Sequence, residues 1–161
     1  MKKREKVLAC LLERGWQITF AESCTGGLLC ASLVDLPSAS SVLSESYVTY
    51  ANEAKVRLVG VSEETLRQYG AVSEQTAAEM AKGAAARANA QVAVSVSGIA
   101  GPTGGSAEKP IGTVCFGFSI DGAVYTFTQH FGDLGRSEVR KASVDFAFRK
   151  LTELLSTDEG R

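Results

Sequence analysis

Histidine occurs once in this chain of 161 residues, and cysteine, although present four times, never falls in a paired metal-ligand spacing. Cys10, Cys24, Cys30 and Cys115 are too scattered for a disulfide framework, and they read as reduced thiols. No apolar run approaches the ~18 residues that a membrane-spanning helix needs. The basic start, Lys2-Lys3-Arg4, leads into an amphipathic pattern (Val7, Leu8, Leu11, Leu12) broken by Glu13 and Arg14, and no secretory apolar segment follows. Charge of one sign is missing too. Seventeen Lys and Arg are interspersed with 18 Asp and Glu, for a net charge of −1, so there is no basic stripe to neutralise a nucleic-acid backbone. Linkers, internal repeats and low-complexity segments are absent. Together these absences point to one cytoplasmic domain spanning residues 1–161, without a membrane or nucleic-acid partner.

What the chain does have is apolar residues, 45% of the total, and 16 glycines, many of them in two loops. Ala21-Glu22-Ser23-Cys24-Thr25-Gly26-Gly27 follows the strand-like run Gln17–Ala21, and a second loop from Ser97 to Ser106 follows Gln91–Ser97. Loops that leave the carboxyl ends of strands line the ligand crevice of an open α/β sheet, and glycines let backbone amides approach a ligand. The rest of the pattern supplies that sheet. Helices are expected over Lys3–Arg14, Leu28–Val34, a segment capped by Asn52 and running to Val59, one from Ser62 to Gly70, Glu74–Ala88, and Arg136–Leu155. The last should turn Val139, Val144, Phe146, Ala147, Leu151, Leu154 and Leu155 inward. Strands are expected over Ser46–Tyr50, Gly112–Ile120 and Ala123–Phe131, the last two joined by the hairpin signal Asp121-Gly122. Alternating helices and strands plus one hairpin predict a three-layer α/β/α sandwich around a mixed sheet.

Ser23 stands between a strand and a helix, where helix N-terminal amides can hold an oxyanion. The position is like that of a nucleophile elbow, but the G-x-S-x-G pattern is absent, and a turn or N-cap serine fits the same spacing. A serine nucleophile needs a base. His130 is the only imidazole, near the end of a hairpin strand where a structural histidine is common. Lys55, in the first turn of the helix at Asn52, is the other option if partial desolvation and helix-end potential lower its pKa from ~10.4 towards 7–8. A solvated helix lysine is its ordinary alternative. The second loop has four glycines in eight residues, Gly98, Gly101, Gly104 and Gly105, and can cradle a phosphate through its amides. It is not a Walker A loop, since no Gly-Lys-Ser/Thr closes it. Arg136, or Arg140 a turn later, can grip an anion from the last helix.

Four strings, AESCTGG (21–27), SYVTYANEAK (46–55), GAVSE (70–74) and SVSGIAGPTGGSAEKPIGTV (95–114), resemble the competence/damage-inducible CinA carboxyl-terminal domain family. They cover nearly the whole chain in order and spacing. The resemblance implies hydrolysis of the carboxamide of nicotinamide mononucleotide to nicotinate mononucleotide and ammonia, in pyridine-nucleotide recycling. It implies Ser23 as nucleophile, Lys55 as base, and Tyr50 and Ser40 as residues that position substrate or pass protons. Thr25, Gly26, Gly27, Ser97, the loop glycines and Arg136 would contact the nucleotide, with no metal and no cofactor. The family's Gly-Asp-Arg is interrupted here, as Gly132-Asp133-Leu134-Gly135-Arg136, which keeps Arg140 as an alternative. A homodimer is expected on general grounds. Two rivals remain: a nucleotide-binding regulatory module without activity, and a thiol enzyme using Cys24 with His130.

Overall fold

The computed structural model describes residues 2–157. The chain opens with α1 (Lys3–Arg14), which buries Val7, Leu8 and Leu11 and is closed by Gly15 in the left-handed conformation. β1 (Ile18–Glu22) follows, buried along its whole length, then α2 (Leu28–Val34) and a 3-10 turn at Ala39–Ser41. A short strand, β2 (Tyr47–Val48), leads to α3 (Asn52–Val59), α4 (Glu63–Tyr69) and α5 (Glu74–Ala88). β3 (Val92–Gly98), β4 (Thr113–Ile120) and β5 (Ala123–His130) precede the long α6 (Arg136–Thr157).

The five strands form one mixed sheet in the order β2-β1-β3-β4-β5. β2, β1 and β3 are parallel, with Ala21 beside both Tyr47 and Ser95, while β4 and β5 run antiparallel to their neighbours. The β4–β5 hairpin turns on Asp121 (φ 48°) and Gly122 (φ 93°), the positive pair that matches the right-handed twist of its strands. α1, α2 and α6 pack together on one face, and α5 covers the other with α3 and α4 against it. The expected three layers are therefore present. On the α6 side Phe20 meets Phe148 edge-on, and Phe116 stacks on Phe146 with ring centroids 4.5 Å apart.

α5 lies unusually close to its neighbours because of two glycines. A Cβ on Gly117 of β4 would run into the Ala77 carbonyl of α5, and one on Gly83 of α5 would overlap the Val59 carbonyl of α3. The second contact seats the helix that carries Lys55.

Several boundaries differ from the sequence expectation. The strand expected over Ser46–Tyr50 pairs only at Tyr47 and Val48, because the chain then turns so that the Thr49 and Tyr50 carbonyls reach Lys55. β1 runs one residue further than the pattern indicates, to Glu22, and β3 extends to Gly98. Asn52 is the first helical residue and not the cap. Ala51 occupies that position without a side-chain bond, whereas Ser62 and Ser73 do cap α4 and α5. In α6 Leu154 is only partly buried, and Ser143 and Phe148 take inward positions the pattern left out.

Candidate active site

β1 and β2 end side by side, and one further backbone hydrogen bond follows the last residue of each. The Ser23 amide donates to the Val96 carbonyl of β3 (2.9 Å), and the Thr49 amide donates to the Glu22 carbonyl (2.8 Å). This fixes Ser23 at the carboxyl edge of the parallel strands, with Thr49 and Tyr50 alongside. Lys55, on the first turns of α3, reaches back under them. Its Nζ lies 2.8 Å from the Thr49 carbonyl, 3.1 Å from the Tyr50 carbonyl and 3.1 Å from Ser23 Oγ. Lys55 is only 1% exposed, and none of these three partners carries a charge. Burial therefore holds its pKa below the ordinary lysine value. The helix-end potential expected from the sequence is not the main cause, and the solvated-lysine reading is excluded by the burial itself.

A small cavity of about 220 Å³ opens over this pair. Ser23, Cys24, Tyr50 and Lys55 line it together with Ser97, Gly98 and Ala100 from the end of β3 and Arg136 from the start of α6. Arg136 spans its rim, donating to the Gly101 carbonyl (2.8 Å) and to the Tyr50 hydroxyl (2.9 Å). Asn52, Ala71 and Val72 complete the wall. Sequence reasoning gave none of these three a place in the site: Asn52 looked like a cap, and Ala71 and Val72 carry no chemistry of their own.

Other expected residues are placed elsewhere. Thr25 is fully buried, and its hydroxyl donates to Glu22 Oε1 (2.6 Å), so its side chain braces the loop instead of facing a ligand. Gly26 (φ 59°) and Gly27 (φ 106°) turn the chain into α2 and do not line the cavity. Gly101 takes part through its carbonyl, next to the cis Gly101–Pro102 peptide. Gly104 and Gly105 face a separate, open depression beside His130. Ser40 is exposed on the 3-10 turn near the amino end of β1, where Val42 and Leu43 pair with Ile18, at the opposite end of that strand from Ser23. The role of Ser40 was expected from the resemblance alone, and the path of the chain carries it away from the cavity. Arg140 does not line the cavity either; its Nε donates to the Cys24 carbonyl (3.1 Å) and its Nη2 to the Thr25 carbonyl (2.9 Å).

Glu22 was missed by sequence reasoning altogether. It is fully buried, and besides Thr25 it accepts from the amides of Leu29 (2.8 Å) and Cys30 (3.0 Å) in α2. Its one available signal was an acidic residue inside an otherwise buried strand. The thiol alternative loses its base and its thiolate. His130 lies on the other depressions, 3.3 Å from the Thr113 hydroxyl, and burial pushes the Cys24 thiol up to about 11. Among the described residues no three His, Cys, Asp or Glu side chains gather into a metal-binding group, and no helix is long and apolar enough to cross a membrane.

Fold and site together define a three-layer α/β protein with a buried serine–lysine pair at the carboxyl edge of its parallel strands. The chain belongs to the CinA C-terminal domain family, whose model matches residues 1–155. It is 54% identical over 143 residues to a nicotinamide-nucleotide amidohydrolase, PncC, of Enterobacter agglomerans, covering 88% of this chain and 86% of that protein. It is 47% identical to a CinA-like protein of Shewanella amazonensis over 94% of this chain, but spans only 36% of that longer relative. Among solved structures, the competence/damage inducible protein CihA from Agrobacterium tumefaciens superposes with a TM-score of 0.91 at 43% identity, covering 94% of this chain and 93% of that one. A CinA superfamily protein from Klebsiella pneumoniae gives 0.91 at 36% identity, over 98% and 99% of the two chains.

Proposed function

We propose that this chain is a nicotinamide-nucleotide amidase that hydrolyses the carboxamide of nicotinamide mononucleotide through Ser23 and Lys55, returning the pyridine nucleotide for reuse as nicotinate mononucleotide. The observation that carries the mechanism is the partner set of Lys55. A neutral amine has two N–H groups and one lone pair. In the structure Lys55 Nζ donates to Ser23 Oγ (3.1 Å) and the Ser23 hydroxyl donates to the Tyr50 carbonyl (3.3 Å). Once the amine is neutral and its two N–H groups go to the Thr49 and Tyr50 carbonyls, its lone pair faces Ser23 Oγ, and the hydroxyl turns its proton towards Nζ. Lys55 takes that proton as Ser23 Oγ attacks the carboxamide carbon, whose electrophilicity the pyridinium ring increases. The tetrahedral intermediate collapses when Lys55 returns the proton to the amide nitrogen, which leaves as ammonia. Water, deprotonated by the same lysine, then attacks the acyl ester; as the bond to Ser23 Oγ breaks, Lys55 returns the proton to that oxygen, and the product leaves as a carboxylate with its acid proton lost to solvent.

The cavity supports this assignment by its size. About 220 Å³ lies below the ~300–1,000 Å³ of pockets that enclose a drug-sized ligand, so it accommodates the carboxamide end while ribose and phosphate extend outward past Tyr50 and Arg136. Kinship with the Enterobacter agglomerans amidohydrolase supports the choice of substrate.

Ammonia release from nicotinamide mononucleotide tests the reading directly. Ser23→Ala should lose on the order of 10⁴–10⁶-fold in kcat with its fold intact, as removal of an acyl-transfer nucleophile does elsewhere. Cys24→Ser should stay within a few-fold of wild type. Saturable nucleotide binding without ammonia release by the wild type would turn the reading to a regulatory module, and full activity in Ser23→Ala would remove the serine mechanism.

A further inference from the structure

The residues after Ser23 form no regular secondary structure until α2 begins at Leu28, yet the Ser23, Cys24 and Thr25 carbonyls and the Thr25 hydroxyl are all held. Glu22 grips the loop from inside the fold through Thr25 Oγ1 and ties it to α2 through the Leu29 and Cys30 amides. From the other side, Arg140 of α6 holds the Cys24 and Thr25 carbonyls with one guanidinium. The Ser23 carbonyl is taken by the Gly26 amide (3.1 Å), and the Thr25 carbonyl also accepts from Leu28 (3.0 Å). Among the described residues the only cis peptide is Gly101–Pro102, so in this loop every amide N–H points opposite the carbonyl of its own peptide unit. Fixing the Ser23 and Cys24 carbonyls therefore fixes the amides of Cys24 and Thr25 on the other side. An amide of the residue after the nucleophile is where acyl-transfer enzymes place an oxyanion donor.

We propose that Glu22 and Arg140 are positioning residues that clamp the 22–25 loop from opposite sides, so that the Cys24 and Thr25 amides are held ready to receive the oxyanion formed when Ser23 attacks. The role rests on the amidase reading of the site, and it differs from anion binding: Arg140 spends its donors on protein carbonyls and does not line the cavity. Arg136, which does line it, is the arginine available to substrate. The clamp spans two separate elements. Glu22 ends β1 and Arg140 lies on α6, so the oxyanion site forms only when α6 is docked on the sheet.

The test compares wild type, Arg140→Met, Arg140→Lys and Glu22→Gln. Two readouts are followed: steady-state ammonia release, and the rate at which a fluorophosphonate esterifies Ser23, followed by mass. In the labelling reaction Ser23 Oγ bonds phosphorus, fluoride leaves and Lys55 takes the hydroxyl proton, so it reports the oxyanion site without the nucleotide. Arg140→Met should lower kcat roughly 10–100-fold with KM nearly unchanged, somewhat less than outright removal of an oxyanion donor. Labelling should slow in parallel while the melting temperature holds. Arg140→Lys, able to hold one of the two carbonyls, should recover part of both rates. Glu22→Gln, which sets an NH₂ against one of the α2 amides or Thr25, should slow both reactions in the same way.

A rise in KM with kcat and labelling unchanged would overturn the clamp and make Arg140 a phosphate ligand. A fall in melting temperature with no recovery in Arg140→Lys would overturn it in favour of a purely structural role. If wild type is labelled but releases no ammonia, the amidase reading fails, and the labelling rates still decide the clamp. Should Glu22→Gln fail to fold, the partly exposed Arg140 variants decide it alone.

Discussion

In the proposed mechanism, burying Lys55 against a hydroxyl and two carbonyls would set the pH at which the site works. The lone pair that would take the Ser23 proton exists only when the amine is neutral, and burial favours that state. Activity should therefore rise with pH along a single limb centred below the ~10.4 of an unperturbed lysine, and Lys55→Arg, which stays charged, should be inactive. A pH profile of kcat/KM checks this, and a limb at the unperturbed value would contradict it. The same burial affects stability. Between the lowered folded pKa and the ordinary unfolded one, the unfolded chain binds more protons, so stability should climb with pH across that window and level off above it. Lys55→Met should flatten the climb, and urea titrations at several pH values measure it. Periodicity and spacing do not distinguish this lysine from a solvated one; only the string that ends in it, by resemblance, singles it out. Its burial comes from β2 ending early and from the turn at Thr49 and Tyr50, both set by pairing with β1.

The helices show how element packing reaches the site. α5 reads clearly from its Ala-rich sequence and Ser73 cap, and it spans Glu74–Ala88 as expected. Gly83 within it is costly on propensity grounds, by ~1 kcal/mol relative to alanine, and a host helix alone would gain from Gly83→Ala. In the folded protein the added methyl meets the Val59 carbonyl at the end of α3. Gly83→Ala should therefore lower the melting temperature and shift α3. Because Lys55 sits one turn before Val59, kcat should fall by roughly 10-fold or more, since a misplacement of ~1 Å can cost ~10²-fold. Wild-type melting temperature and rate in the variant would show that α3 can adjust without disturbing Lys55. Helix boundaries were largely legible because caps and stops are local chemistry. The close approach of α5 and α3 was not, because it depends on which helices the sheet brings together.

For the molecule as a whole, each helical layer has its own apolar cluster against the sheet: a smaller one around Met80, Val59 and Ala84 under α5 and α3, and a larger one under α1, α2 and α6, of which Phe116 on β4 is a central part, fully buried against Phe131 and Phe146. Phe116→Ala should cost about 3–5 kcal/mol, the range for emptying a large aromatic from a packed core, and denaturant unfolding measures it. A loss below ~1 kcal/mol would mean that α6 repacks freely onto the sheet. The sequence by itself determined the helix and strand order, the three layers, the hairpin at Asp121-Gly122, and the two loops that carry Ser23 and Ser97, because periodicity, caps and turn residues act over short stretches of chain. Only the tertiary structure decided that Lys55 is buried on Ser23, that Arg136 closes the rim while Arg140 braces the loop, that Glu22 anchors α2, and that Ser40 lies at the far end of β1. Those are contacts between residues as many as 116 apart in the chain, and they exist only once parallel pairing and helix docking have brought the strand ends together.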